Sequence, residues 1–184
     1  LVDIAPEAIG VEGSSIYLRE GESLTMCELL YALMLASAND AATAIAYEVA
    51  GGVDEFASLM NGKAESLGLE STSFTNPHGL HSEAHYTTAR DLATITCYAL
   101  ENELFREIVS TRTHTISSAD GEGRVLVNHN KLLRTYDGAL GVEEYDALIR
   151  DAVAAGNNVL AGYYEDSRNA LIADKGLEPA LQTG

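Results

Sequence analysis

The sequence predicts an α+β domain. Apolar residues fall at helical spacing through most of residues 25–67 and again over 89–110, whereas residues 11–18 and 111–127 hold short segments that read as strands closed by turns. The length of 184 residues, with 46% hydrophobic and 21% charged residues, is ordinary for a folded domain and argues against disorder.

Taken in order, Val11-Glu12-Gly13-Ser14-Ser15-Ile16-Tyr17-Leu18 reads as a short strand, turned by Arg19-Glu20-Gly21-Glu22. Thr25-Met26-Cys27-Glu28 has the Thr-x-x-Glu pattern of a capping box, in which two side chains satisfy orphan amides at a helix start. Leu29, Leu30, Leu33 and Met34 share one face of that helix, which is expected to end near Ala36. A second helix runs from about Ala38 to Ala50, where Gly51-Gly52 stops it. A third covers about Val53 to Leu67, with Phe56, Leu59, Met60 and Ala64 on its apolar side and Gly68 beyond its end. Asn76-Pro77 turns the loop that follows. Thr88 and Asp91 then mark the start of a helix over roughly Ala89 to Glu101, with a short one over Leu104 to Ser110. Thr111 to Ile116 and Arg124 to Val127 are expected to form a hairpin around Asp120-Gly121-Glu122-Gly123. Past Gly141, Val142, Tyr145, Leu148, Ile149 and Val153 make one amphipathic helix, and Val159, Leu160, Tyr163, Tyr164, Leu171 and Ile172 suggest another.

The formal net charge of −17, from 28 acidic and 11 basic residues, excludes nucleic acid and anionic membrane surfaces as expected partners, since both select basic patches. No apolar run reaches the roughly 18 residues of a membrane span, because the longest, Leu24 to Ala36, is broken by Thr25, Cys27 and Glu28. The first residues, Leu1-Val2-Asp3-Ile4, lack the basic start and apolar middle of a signal peptide. Cys27 and Cys97 sit among apolar neighbours in helical patterns and read as two free buried thiols.

The segment with chemical content is Leu35-Ala36-Ser37-Ala38-Asn39-Asp40-Ala41-Ala42. A serine and an asparagine two apart at a corner between helices can bring both polar side chains to one cleft. Taken alone, the triplet is also explained by Ser37 as a helix N-cap. In context, Leu29 to Ala42 resembles the second active-site motif of the serine-type D-alanyl-D-alanine carboxypeptidases, the low-molecular-weight penicillin-binding proteins. Further segments match in order: Glu12 to Leu18, Phe74-Thr75-Asn76-Pro77-His78-Gly79-Leu80-His81, His85 to Ala93, Phe105 to Thr111, Asn128 to Tyr136, and Gly138-Ala139-Leu140-Gly141-Val142. The resemblance covers about residues 8–142. It implies a β-lactamase/transpeptidase-like fold, represented mostly by its helical subdomain plus a few antiparallel strands. Residues 1–142 would then be a partial carboxypeptidase domain, and 143–184 a divergent helical tail packed on it.

By the same resemblance, Ser37 and Asn39 are the candidate catalytic residues. Ser37 would lie in the proton relay toward the leaving D-alanine, and Asn39 would also bind the substrate backbone. Both side chains are expected to face a partly open cleft. The partners implied are peptidoglycan stem peptides and β-lactams, outside the cytoplasm, with no cofactor. In the family, a Ser-x-x-Lys serine attacks the peptide carbonyl after a neighbouring base removes its proton, and a Lys-Thr-Gly strand binds the terminal carboxylate. Neither is found here. No Ser-x-x-Lys occurs in the 184 residues, and the family would place it upstream of residue 1. Where Lys-Thr-Gly would follow Val142, the chain has Glu143-Glu144-Tyr145, two anions in place of a carboxylate-binding cation. Gln182-Thr183-Gly184 is uncharged and misplaced for that role. The chain is therefore expected to be an incomplete, inactive form of the enzyme. The alternatives are a non-catalytic homologue that binds cell-wall peptide or a protein partner, with self-association through the tail, and a metal-binding loop protein built on His78, His81 and His85 with Glu83 between them. Pro77 and Gly79 make the histidine segment a loop that does not align those rings, so hydrogen-bonded loop histidines are expected instead. His114 and His129 read as structural, and Lys131 as a surface group.

Overall fold

The computed structural model describes residues 1–119, 121 and 123–135, and the chain divides into two compact units, Leu1–Asn130 and Lys131–Gly184. The second unit is described only at its start, where Leu132–Thr135 forms a short helix. The tail expected over 143–184 and the Glu143-Glu144-Tyr145 substitution lie outside the described residues, as do Asp120 and Glu122 of the expected hairpin turn.

The first unit begins with β1 (Val2–Asp3), paired antiparallel with β2 (Ser23–Leu24) so that Val2 faces Leu24. Helix α1 (Met26–Ala36) follows at once. Its capping box is complete: Glu28 N–H donates to the Thr25 hydroxyl at 3.2 Å, and Thr25 N–H donates to the Glu28 carboxylate at 2.8 Å. Helix α2 (Asn39–Ala50) carries Ala41, Ala42, Ala44 and Ala46, all buried. Small side chains there let α2 approach both α1 and α3 (Val53–Ser66) closely. The αL conformation of Gly51, at φ 82°, ends α2 where the paired glycines predict a stop.

Two hydrogen bonds between the Asn61 side chain and the backbone of Phe74, and an antiparallel bridge between Ser73 and Tyr86, organise the loop that follows α3. Helices α4 (Ala89–Leu100) and α5 (Glu103–Ser110) are capped by Thr88, which accepts from Asp91 N–H, and Asn102, which accepts from Phe105 N–H. Strands β3 (Thr113–Ser117) and β4 (Gly123–Val127) form the expected hairpin, with Thr113 opposite Val127. The buried Asn128 side chain then donates to the Val109 and Thr111 carbonyls, and His129 N–H donates to the Leu35 carbonyl, tying the end of the hairpin to α5 and α1. The core gathers Leu24, Leu29, Leu35, Ile45, Ile108, Ile116 and Leu126 with the small residues of α2.

Two expectations are corrected. Residues 11–18 form no strand. Ile16 and Leu18 are buried and Tyr17 is exposed, so the alternation is real, but their amides bond to a side chain rather than to a neighbouring strand. Cys27 is exposed and Cys97 half-buried, and neither is in a disulfide; Leu29 and Leu35 occupy the core-facing stripe of α1 and leave Cys27 on its outer side.

The capping box also makes a pH prediction. Burial pushes the Glu28 carboxyl up, but bonds from the Thr25 N–H, the Thr25 hydroxyl and the Ser117 N–H, together with nearby His114, hold its pKa below the ordinary value of 4.5. A depressed folded-state pKa contributes stability that is present above the ordinary value and lost as pH falls through the lower one. Glu28→Gln is expected to cost about 1 kcal/mol at neutral pH. In urea unfolding followed by circular dichroism, its deficit should shrink toward acid pH; a deficit constant with pH would refute this role for the carboxylate.

Candidate functional site

The corner between α1 and α2 is built by Ser37, which ends α1 in the left-handed conformation at φ 55° and ψ 39°. That single residue reverses the chain, Ala38 follows fully buried, and α2 starts at Asn39. Ser37 is exposed, whereas Asn39 is 8% exposed. Its side-chain amide donates to the Glu12 carbonyl at 2.6 Å, and its main-chain N–H donates to the Ser14 carbonyl at 2.8 Å. A main-chain acceptor in residues 12–14 thus takes one N–H of the amide that was expected to face a partly open cleft.

Gly13 makes this approach possible. It has φ +95°, and a Cβ there would lie 2.5 Å from Asn39 Nδ2. A side chain there would have to displace the Asn39 amide from its bond to Glu12, and the backbone conformation itself favours glycine. The same Cβ would stand 4.0 Å from Leu80 Cδ2, so the loop after Asn76-Pro77 also reaches the corner. That loop is held internally: the Asn76 side chain donates to the Leu80 carbonyl and accepts from Gly79 N–H.

Asp40, the next residue of α2, is completely buried. Its carboxylate accepts from the Ser15 hydroxyl at 2.6 Å, from Ile16 N–H at 3.2 Å, from Leu18 N–H at 3.1 Å and from Ala41 N–H at 2.9 Å. A buried carboxylate is tolerated only with such a set of donors. Asp40, Gly13 and Glu12 are the residues that sequence reasoning missed at this corner. The available signal was an acidic residue set among the small apolar residues from Ala38 to Ala46.

Beside the corner, a groove of about 390 Å3 is lined by Ser15, Ile16, Tyr17, Ala36, Val125 and His129, among others; Ser37 and Asn39 do not line it. Tyr17 is exposed at its rim with φ 59°.

His78 and His85 bond within their own loop. His78 Nδ1 accepts from Leu80 N–H, and His85 Nδ1 accepts from Thr75 N–H at 3.2 Å. Burial, with His85 nearby, lowers the His78 pKa and favours the neutral ring that this bond requires. His114 stacks on Tyr31 with ring centroids 3.7 Å apart, and His129 is exposed. Among the described residues, no group of three or more His, Cys, Asp or Glu side chains is placed to hold a metal ion. Also among the described residues, no helix is long and apolar enough to cross a membrane.

A family model described as D-alanyl-D-alanine carboxypeptidase, peptidase S11, matches residues 1–142. The D-alanyl-D-alanine carboxypeptidase DacF of Bacillus subtilis is 37% identical over 142 residues, covering 77% of this chain and 36% of that protein. A D-alanyl-D-alanine carboxypeptidase of a Streptomyces species is 36% identical over 141 residues, covering 71% of this chain and 48% of that protein. Among solved structures, the D-alanyl-D-alanine carboxypeptidase of Mycobacterium tuberculosis superposes with a TM-score of 0.68 at 35% identity, over 74% of this chain and 52% of that one. A mutant of a Streptomyces DD-transpeptidase gives 0.70 at 34% identity, over 76% and 60%. The chain therefore spans about a third to a half of the length of these curated relatives.

Proposed function

Because this chain belongs to the D-alanyl-D-alanine carboxypeptidase family, peptidase S11, with the β-lactamase/transpeptidase-like α+β fold of its relatives, we propose that residues 1–142 are the Ser-x-Asn-bearing part of a serine-type hydrolase. The bond cleaved is the terminal D-Ala-D-Ala bond of peptidoglycan stem peptides, outside the cytoplasm, and β-lactams are the corresponding inhibitors. The observation that carries this reading is the exposed Ser37, held in a left-handed corner two residues before an Asn39 fixed by the backbone. In this role the Ser37 hydroxyl passes a proton toward the leaving D-alanine, and Asn39 hydrogen-bonds the peptide.

The 184 residues contain no Ser-x-x-Lys. The isolated chain is therefore inactive and forms no stable acyl adduct. Incubated with fluorescent penicillin and analysed by mass spectrometry, it should remain unmodified; a stoichiometric adduct on Ser37 or any other serine would overturn this. The family role is tested by a chimera in which residues 1–142 replace the matching segment of the Bacillus subtilis relative. The chimera should release D-alanine from a D-Ala-D-Ala peptide, and Ser37→Ala should lower kcat by about a hundredfold, as removal of a single catalytic hydrogen-bonding group does. A folded but inactive chimera would refute the proposal.

A second reading is favoured by Glu143-Glu144-Tyr145, which puts anions where the family would bind a carboxylate. On it, the protein is a homologue without turnover that binds a cell-wall peptide through contacts away from its terminal carboxylate, or a protein partner. Titration of the 184-residue chain with a D-Ala-D-Ala peptide separates the two: saturable binding without hydrolysis supports the second.

A further inference from the structure

We propose that Asp40 is a positioning residue for the Ser37–Asn39 corner, acting through the strap of residues 12–18 rather than by touching substrate. Its catalytic consequence rests on the function proposed above; its structural content does not.

The strap is held at both ends by adjacent residues of α2. At one end, Asp40 takes the Ser15 hydroxyl and the Ile16 and Leu18 amides. At the other, the Glu12 and Ser14 carbonyls take the side-chain and main-chain N–H groups of Asn39. The Asp40 carboxylate is fully buried and carries four protein donors, so it is a latch and not a ligand site. Ser15 completes the latch, because its oxygen also accepts from Tyr17 N–H at 2.8 Å while its proton goes to Asp40.

The chemical importance lies in the amide. A carboxamide has two N–H donors on one side and an acceptor on the other, and a half-turn exchanges them. Committing one Asn39 N–H to the Glu12 carbonyl fixes which side is which, and leaves the second N–H and the oxygen in a set orientation. Releasing the strap from Asp40 frees the Glu12 carbonyl to move, and the orientation of Asn39 is lost with it. Displacements of about 1 Å at such a group can cost on the order of a hundredfold in rate.

The test uses the Asn39 side-chain NH2 signals of the 184-residue chain in nitrogen-15 NMR spectra. In Asp40→Asn and Ser15→Ala, this pair is expected to move toward the positions of free asparagine, and its solvent exchange to accelerate about tenfold. Glu28→Gln weakens α1 without touching the strap and should leave the pair in place. Ser15→Ala removes only one hydroxyl and decides the matter if Asp40→Asn does not fold. An Asn39 pair that stays put in folded Ser15→Ala would overturn the proposal. In the chimera, Ser15→Ala should lower kcat about tenfold with KM changed by less than about threefold; an unchanged kcat would overturn the catalytic half. A chimera inactive before any substitution would count against the proposed function alone, since the NMR result is independent of turnover.

Discussion

Arg124→Ala is expected to destabilise the protein by about 3–5 kcal/mol, the cost of leaving one partner of a buried ion pair without the other. Glu22 is 5% exposed and sits in the turn before β2. Both terminal guanidinium nitrogens of Arg124, on β4, donate to its carboxylate; Nη2 does so at 2.9 Å and also donates to the Tyr17 carbonyl at 3.2 Å. The Arg19 amide adds a donor at 3.1 Å. Truncating Arg124 leaves a desolvated carboxylate with, among the described residues, the Arg19 amide as its donor. Replacing both members with apolar side chains, Glu22→Leu with Arg124→Met, removes the stranded charge and should recover most of the loss. Urea midpoints of the two variants provide the comparison. If Arg124→Ala costs under about 1 kcal/mol, the pair behaves as a solvated surface bridge and this account is wrong.

Leu29→Ala should cost about 3–4 kcal/mol. Leu29 is fully buried in the cluster that joins α1, α2, α5 and the hairpin, and its truncation loses transfer energy and leaves a cavity in a packed interior. Leu29→Met nearly conserves volume and should cost less than about 1.5 kcal/mol. Similar losses for both, read from urea unfolding, would show that the site relaxes freely and is not tightly packed. Cys27→Ser, two residues earlier and exposed on the same helix, provides the reference, with an expected change within about 0.5 kcal/mol.

The helices were legible because their signals are local. Thr25 and Glu28 lie three residues apart, Gly51 follows α2 directly, and each acts within one turn of the residue it terminates. The strap over 11–18 was not legible. Its alternation of Ile16 and Leu18 inward with Tyr17 outward has the period of a strand, but what binds its amides is a carboxylate more than twenty residues later. Periodicity reports which side chains are buried; it is silent on what the backbone bonds to. The same limit applies at the corner. Ser37 and Asn39 were found by motif and resemblance, whereas Glu12 and Gly13 act through a carbonyl oxygen and a missing Cβ, neither of which leaves a pattern along the chain. The exposure of Cys27 was misjudged because apolar neighbours in sequence point to different sides of a helix.

The left-handed backbone of Ser37 sets stability against chemistry at a single position. Residues with a Cβ occupy this region at a cost of roughly 1 kcal/mol that glycine does not bear. Ser37→Gly should therefore raise the melting temperature while deleting the hydroxyl on which the proposed relay depends. Threonine keeps the hydroxyl, but its branched Cβ fits this conformation worse than serine does, so chemical similarity is a poor guide here. Selection for robustness alone would drift toward glycine at this corner. The serine at this position costs the scaffold stability, and melting curves of the serine, glycine and threonine forms, expected in the order glycine, serine, threonine, would measure it.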